Sequence, residues 1–266
     1  MSRHVRKAYV DLPDGQIHYA SAEGMGTPLV FLHQTASSWQ MWAKTMDALA
    51  DLRAPMFAFD TPGFGGSFDP PEAPGMPDYA RWIGAALRAL QVGPVHLIGH
   101  HTGAAIACQL AADDEGLVRT LTMFGPITCT PEEREELSRH AGPPFTPEAT
   151  GSYLRDNWDY LVAGGAAADP LLIHRELTGM LRAHVARSHA YAAVWAQDFN
   201  ALFRELRQPL QIICAPDDDL WPFFDRARSI RPDATAIILP SGANFEPDLE
   251  PQATADAIRA FVLRHS

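Results

Sequence analysis

The sequence predicts an α/β protein: an eight-stranded, mostly parallel sheet flanked by helices, with an inserted helical cap. Three observations carry this. Short β-branched or apolar runs alternate with longer helical patterns, the rhythm of strands joined by crossover helices. One run enters a glycine-bracketed turn that leads directly into a helix. Residues 126–208 hold no convincing strand, yet lie between two of them.

The opening breaks the rhythm. Residues 6–10 and 16–21 flank Pro13, Asp14 and Gly15, a turn sequence that predicts an antiparallel hairpin. Buried-type strands follow at 29–32, 56–59, 95–98 and 120–124, and two more at 210–214 and 236–239. Helical patterns lie near 39–50, 78–91, 102–112, 223–230 and 251–264. The proline-rich stretch 69–77 reads as a surface excursion. Across 126–208 the patterns are helical and rich in Ala, Leu and Arg, with Gly and Pro breaks at 142–144 and 164–170. A structureless loop of that length is improbable inside a domain. The expected organisation is therefore a core of 1–125 and 209–266, with a cap at 126–208. Glu132, Glu133, Glu135 and Glu136 belong to a helix that starts at Thr130-Pro131.

Composition narrows the class. The 266 residues are 47% hydrophobic and 20% charged, enough for one large core and unlike a disordered or collagenous chain. No apolar run approaches the ~20 residues of a membrane span. The basic start lacks the apolar stretch of a secretory signal. Cys108, Cys129 and Cys214 sit far apart in apolar contexts, as core residues of a protein in a reducing, cytoplasmic compartment. The formal charge of −11 argues against nucleic acid and anionic membranes as partners. A small-molecule substrate is expected, and a second copy of the chain is the one protein partner left open.

The most informative segment is Gly-His-His-Thr-Gly at 99–103, between a buried strand and a helix of small residues. Glycines two places either side of His101 suit a sharp strand-to-helix turn, where a crowded backbone tolerates no Cβ. Such a turn lifts the central side chain to the sheet's C-terminal edge, at the positive end of the next helix.

Here the chain resembles the α/β-hydrolase superfamily, over almost its whole length. Leu-His-Gln-Thr-Ala-Ser-Ser-Trp at 32–39 resembles the family's oxyanion loop, and Asp-Thr-Pro-Gly-Phe-Gly-Gly-Ser at 60–67 its D-x-x-G-x-G-x-S turn. The 99–103 turn lies where the family has its nucleophile elbow. Residues 215–222 resemble the turn that carries the triad acid, here Asp218, and 241–251 the late loop that presents the triad histidine. Two positions depart from the pattern: the elbow carries His101 instead of a nucleophilic Ser, Cys or Asp, and the late loop carries Asn244 instead of His. Asparagine orients by hydrogen bonds but cannot act as a base, so the serine-hydrolase mechanism cannot run.

The resemblance implies a catalytic set of His101, Asp218 and Asn244. His101 is the one member that titrates near neutrality, with an ordinary pKa of roughly 6.5. It acts either as a general base or as a nucleophile. The family's oxyanion donors fall on the backbone N–H groups of Thr35 and Thr102. Gln34 adds an amide that faces substrate, and His33 braces the loop. His100 points away into the structure, its ring diverging from that of His101, and His96 is a bonded core residue. Asp217 and Asp219 are read as solvated turn residues, Asp219 doubling as a helix cap. Trp39, Trp42, Trp158, Trp195, Trp221 and Phe245 are spread over the elements that rim the expected cavity. No metal or cofactor is expected. Three functions stay open: hydrolysis of a small apolar ester, lactone or C–C bond; lyase, isomerase or cyclase chemistry in the same pocket; and ligand binding without turnover.

Overall fold

The computed structural model describes residues 5–140 and 145–266, without the His140 side chain. The predicted break at 142–144 and the first four residues lie outside the described part. Eight strands form one sheet: β1 (Arg6–Leu12), β2 (Gly15–Ala22), β3 (Leu29–Leu32), β4 (Met56–Phe59), β5 (Val95–His100), β6 (Val118–Phe124), β7 (Leu210–Cys214) and β8 (Thr235–Ile238). Their spatial order is β1-β2-β4-β3-β5-β6-β7-β8. The β1–β2 hairpin and the β2–β4 pair are antiparallel, and every later pair is parallel.

The helices of the first half are α1 (Ala43–Ala48), α2 (Met76–Ala89) and α3 (Thr102–Asp113). Between β6 and β7 run α4 (Pro131–His140), α5 (Ser152–Ala163), α6 (Pro170–Arg182), α7 (His184–Ala196) and α8 (Phe199–Glu205). The chain ends with α9 (Phe224–Ile230), α10 (Glu246–Leu249) and α11 (Pro251–Arg264). At the 164–170 break, Asp169 caps α6 by accepting from the Leu171 N–H at 2.9 Å, with Pro170 at the first helical position.

Both faces of the sheet are covered, as a parallel sheet requires. Val30, Leu32 and Leu97 pack with α2 and α3 on one face. Leu29, Phe31 and Ile98, one residue out of step, pack with α1 and α11 on the other. That alternation explains why β3 and β5 read as unbroken apolar runs. It also holds the C-terminal end of β5 rigidly at the centre of the sheet.

Candidate active site

β5 ends at His100 and α3 begins at Thr102, so His101 alone makes the turn. Its backbone sits at φ 48° and ψ −109°, a conformation that costs a non-glycine residue about 1–3 kcal/mol unless its surroundings impose it. Three glycines leave room for it. A Cβ on Gly99 would lie 2.3 Å from the Gly103 carbonyl oxygen, and one on Gly103 would lie 2.3 Å from that of Leu32. Gly125, after β6, faces the ring itself: a Cβ there would meet His101 Cδ2 at 2.5 Å. The sequence reading missed Gly125, whose only signal was a glycine directly after a buried strand.

The His101 ring is only partly exposed, and its Nε2 lies 2.8 Å from Asp218 Oδ2. The other oxygen, Oδ1, accepts from the Leu220 N–H at 2.6 Å. The elbow histidine is thus paired directly with the acid. A carboxylate partner fixes the hydrogen on Nε2 and leaves Nδ1 as the lone-pair nitrogen of the neutral ring.

Behind this pair lies a second one. His100 Nε2 is 2.7 Å from Glu246 Oε2, both side chains fully buried. Burial, and then the neighbouring His101, hold His100 well below the ordinary histidine value. Burial and the Asp218 charge push Glu246 well above the usual carboxylate range. Both shifts favour the uncharged form of each residue. The two histidine rings do not diverge as expected but stack at 4.3 Å. His100, His101 and Asp218 consequently present ligand atoms within 4.8 Å of one another, as do Cys214, Asp218 and Glu246. The expectation that no third metal ligand has suitable spacing is corrected on this point.

Asn244 departs from its expected place. Its Nδ2 donates to Asp219 Oδ2 at 2.7 Å, and the Asp219 N–H donates to Asn244 Oδ1 at 3.0 Å. It belongs to a clasp between the two loops and makes no bond to Asp218 among the described residues. Asp219 is accordingly the Asn244 partner and no helix cap. Gln34 Nε2 donates to the Asn244 carbonyl at 2.7 Å, so its amide tethers the late loop to the loop after β3.

The Thr35 hydroxyl donates to that of Thr102 at 2.9 Å, which joins the loop after β3 to the start of α3. The Thr102 amide lies in the first helical turn, where N–H groups have no helical acceptor. His33 is fully buried: Nδ1 meets the Gln34 carbonyl at 2.7 Å and Nε2 accepts from the Thr61 N–H at 3.0 Å. Burial lowers its pKa, so it stays neutral as a brace. Ser67 donates to the Asp60 carbonyl at 2.6 Å and has no place at the site.

His101 opens into a cavity of about 250 Å³. Gln34, Thr35, Thr102, Asn244, Phe245 and Trp195 line it, as do Asp219 and Leu220. The region between β6 and β7 supplies Leu137, Tyr160, Leu161, Glu176, Met180, Tyr191 and Val194. Neither Trp39 nor Trp221 belongs to the wall. Trp39 packs on the sheet with its backbone N–H donated to Asp60 Oδ1 at 2.7 Å, and Trp221 stacks on Phe224. His33 is screened from the cavity as well. The Tyr160 and Tyr191 hydroxyls, 3.1 Å apart, and the Glu176 carboxyl were not singled out in the sequence. Helical periodicity places such residues on a face but does not say what that face covers.

The sequence profile of the α/β-hydrolase fold family matches residues 27–169, more than half of the chain. The chain belongs to the α/β-hydrolase fold family. It is a hydrolase-like member, similar along most of its length to proteins named hydrolases. One is 2-(acetamidomethylene)succinate hydrolase of Mesorhizobium japonicum, 26% identical over 90% of this chain and 89% of that protein. Another is 2-hydroxy-6-oxononadienedioate/2-hydroxy-6-oxononatrienedioate hydrolase of a Pseudomonas species, 25% identical over 80% and 81%. In fold it matches a bromoperoxidase from Bacillus anthracis with a TM-score of 0.80, at 16% identity, over 98% of this chain and all of that one. Among the described residues no helix is long and apolar enough to cross a membrane.

Proposed function

We propose that the protein hydrolyses a small, largely apolar carbonyl compound, without a cofactor, using His101 as a general base on water. The observation that carries this is the His101 Nε2–Asp218 Oδ2 pair at 2.8 Å in the cavity wall. It leaves Nδ1 with no bond to protein among the described residues. In the reaction Nδ1 takes a proton from water while the water oxygen bonds to the carbonyl carbon. The resulting oxyanion is received by the N–H groups of Thr35 and Thr102. The imidazolium, stabilised by Asp218, returns its proton to the leaving group as the bond to carbon breaks. Water is consumed and the enzyme is regenerated. The helices between β6 and β7 act as the cap that shapes the cavity and admits the substrate.

The general-base role is favoured over the nucleophilic one by the same pair. An acyl-imidazole on Nδ1 would need a further base for its hydrolysis, and the described wall offers no second histidine. Intact-mass spectrometry during turnover of esters, lactones and β-diketones tests this. The expected result is unmodified protein at every time point; an acyl adduct on His101 would make it the nucleophile.

A further inference from the structure

We propose that Glu176 is a specificity-determining residue, which binds a hydrogen-bond donor on the substrate through its free carboxyl oxygen. The substrate is then a neutral or cationic carbonyl compound carrying a hydroxyl or ammonium group, not a carboxylate. This rests on the reading of the cavity as the substrate site and adds the substrate class to it.

Glu176 lies on α6 and lines the cavity, yet its exposure is only 4%. A carboxyl so placed must be satisfied, and one of its oxygens is. Oε1 accepts from the Ser37 hydroxyl at 3.0 Å, from Arg175 Nε at 2.9 Å and from Arg175 Nη2 at 2.5 Å. Oε2 takes no bond among the described residues, which leaves it open to a donor in the cavity. Ser37 belongs to the oxyanion loop, so this oxygen is fixed relative to Thr35.

The surrounding charge decides what Oε2 receives. Arg175 is also held by Asp248, at 2.9 Å to Oδ1 and 2.6 Å to Oδ2, so its fork is already occupied. The cavity wall carries two carboxyl side chains, Glu176 and Asp219, and no lysine or arginine among the described residues. A dicarboxylate of the kind named for the two hydrolases above would meet no cation in the described wall but a protonated His101. A donor would complete an otherwise open acceptor in low-dielectric surroundings, where an unmet polar group is costly. Sites built to bond a donor reject analogues that lack it far more strongly than apolar pockets discriminate by size.

Calorimetric binding of four matched amides to the whole protein tests the proposal without turnover. They are hexanamide, 6-hydroxyhexanamide, 6-aminohexanamide as its ammonium form, and adipamic acid as its carboxylate. The expected order places the hydroxyl and ammonium amides at least about tenfold tighter than hexanamide, with the carboxylate weakest. Glu176→Leu is expected to make hexanamide the tightest. Glu176→Gln, which keeps the shape, retains the hydroxyl amide within a few-fold and loses the ammonium preference. Equal affinities, no binding of either donor-bearing amide, or an order unchanged in a folded Glu176→Leu protein would overturn it. An inert His101 would leave this binding order intact while defeating the proposed reaction, so the two failures are distinguishable.

Discussion

Asn244 is joined to Asp219 at two points, 2.7 Å through its amide nitrogen and 3.0 Å through its amide oxygen, which turns it away from Asp218. The carboxylate that would orient a histidine on the late loop is thereby left to His101, 2.8 Å away. Asn244 clasps the two loops together, and His101 pairs with the carboxylate of Asp218. Asn244→Ala removes both bonds of the clasp and should lower stability by about 1–2 kcal/mol, since each such bond contributes ~0.5–1.5 kcal/mol. Urea unfolding measures this; an unchanged midpoint would mean that the clasp contributes nothing.

Serine-directed fluorophosphonates should leave the protein unlabelled. No serine or cysteine lines the cavity among the described residues, and Ser67 is committed to Asp60. Intact mass after prolonged incubation checks it. Stoichiometric labelling at any cavity residue other than His101 would move the reactive position.

Gly125→Ala should disable the site without a change in any polar group. The added methyl would lie 2.5 Å from His101 Cδ2, and the backbone at φ +56° is itself unfavourable for alanine. The expectation is a loss of about 1–2 kcal/mol of stability and at least tenfold in kcat. Full activity in this variant would show that the His101 ring need not occupy its described position.

Acidification should destabilise the fold through its buried histidines. Burial, with Arg119 and His265 nearby, pushes His96 down to about 4. Its ordinary value is 6.5, so the unfolded chain binds a proton that the folded chain refuses. Stability from this residue is complete above about pH 6.5 and is lost as pH falls towards 4. His33 and His100 act in the same direction, while Glu176 and Glu246, shifted upward, oppose them. The test is therefore the difference between the native protein and His96→Asn in urea midpoints from pH 7 to 4.5. The variant should show the shallower decline; parallel curves would remove His96 from the account.

The double change His101→Ser with Asn244→His should yield measurable hydrolysis of activated esters. Both changes spare the main-chain groups of Thr35 and Thr102. A folded double variant that is inactive on every such ester would count against those amides as the oxyanion site.

Much of this was legible in the residues because the relevant constraints are local. Strand runs and the 99–103 turn are set by neighbours along the chain, and the structure places them as read. Partner choice was not legible. Asp218 and Asp219 are adjacent, and only the loop path shows that Asn244 takes the second and His101 the first. Trp39 and Trp221 belong to the right loops but turn into packing, since side-chain direction depends on contacts far away in sequence. Glu176 went unnoticed because a glutamate on an amphipathic helix ordinarily faces water.

In the proposed reaction His101, oriented by Asp218, is the base. Its most direct test is the rate of the native protein and of His101→Ala on one panel of esters, lactones and β-diketones. On the substrate that the native protein turns over best, the expected loss is at least about a hundredfold, the usual contribution of a positioned base. Turnover by a folded His101→Ala protein within a few-fold of native would contradict it.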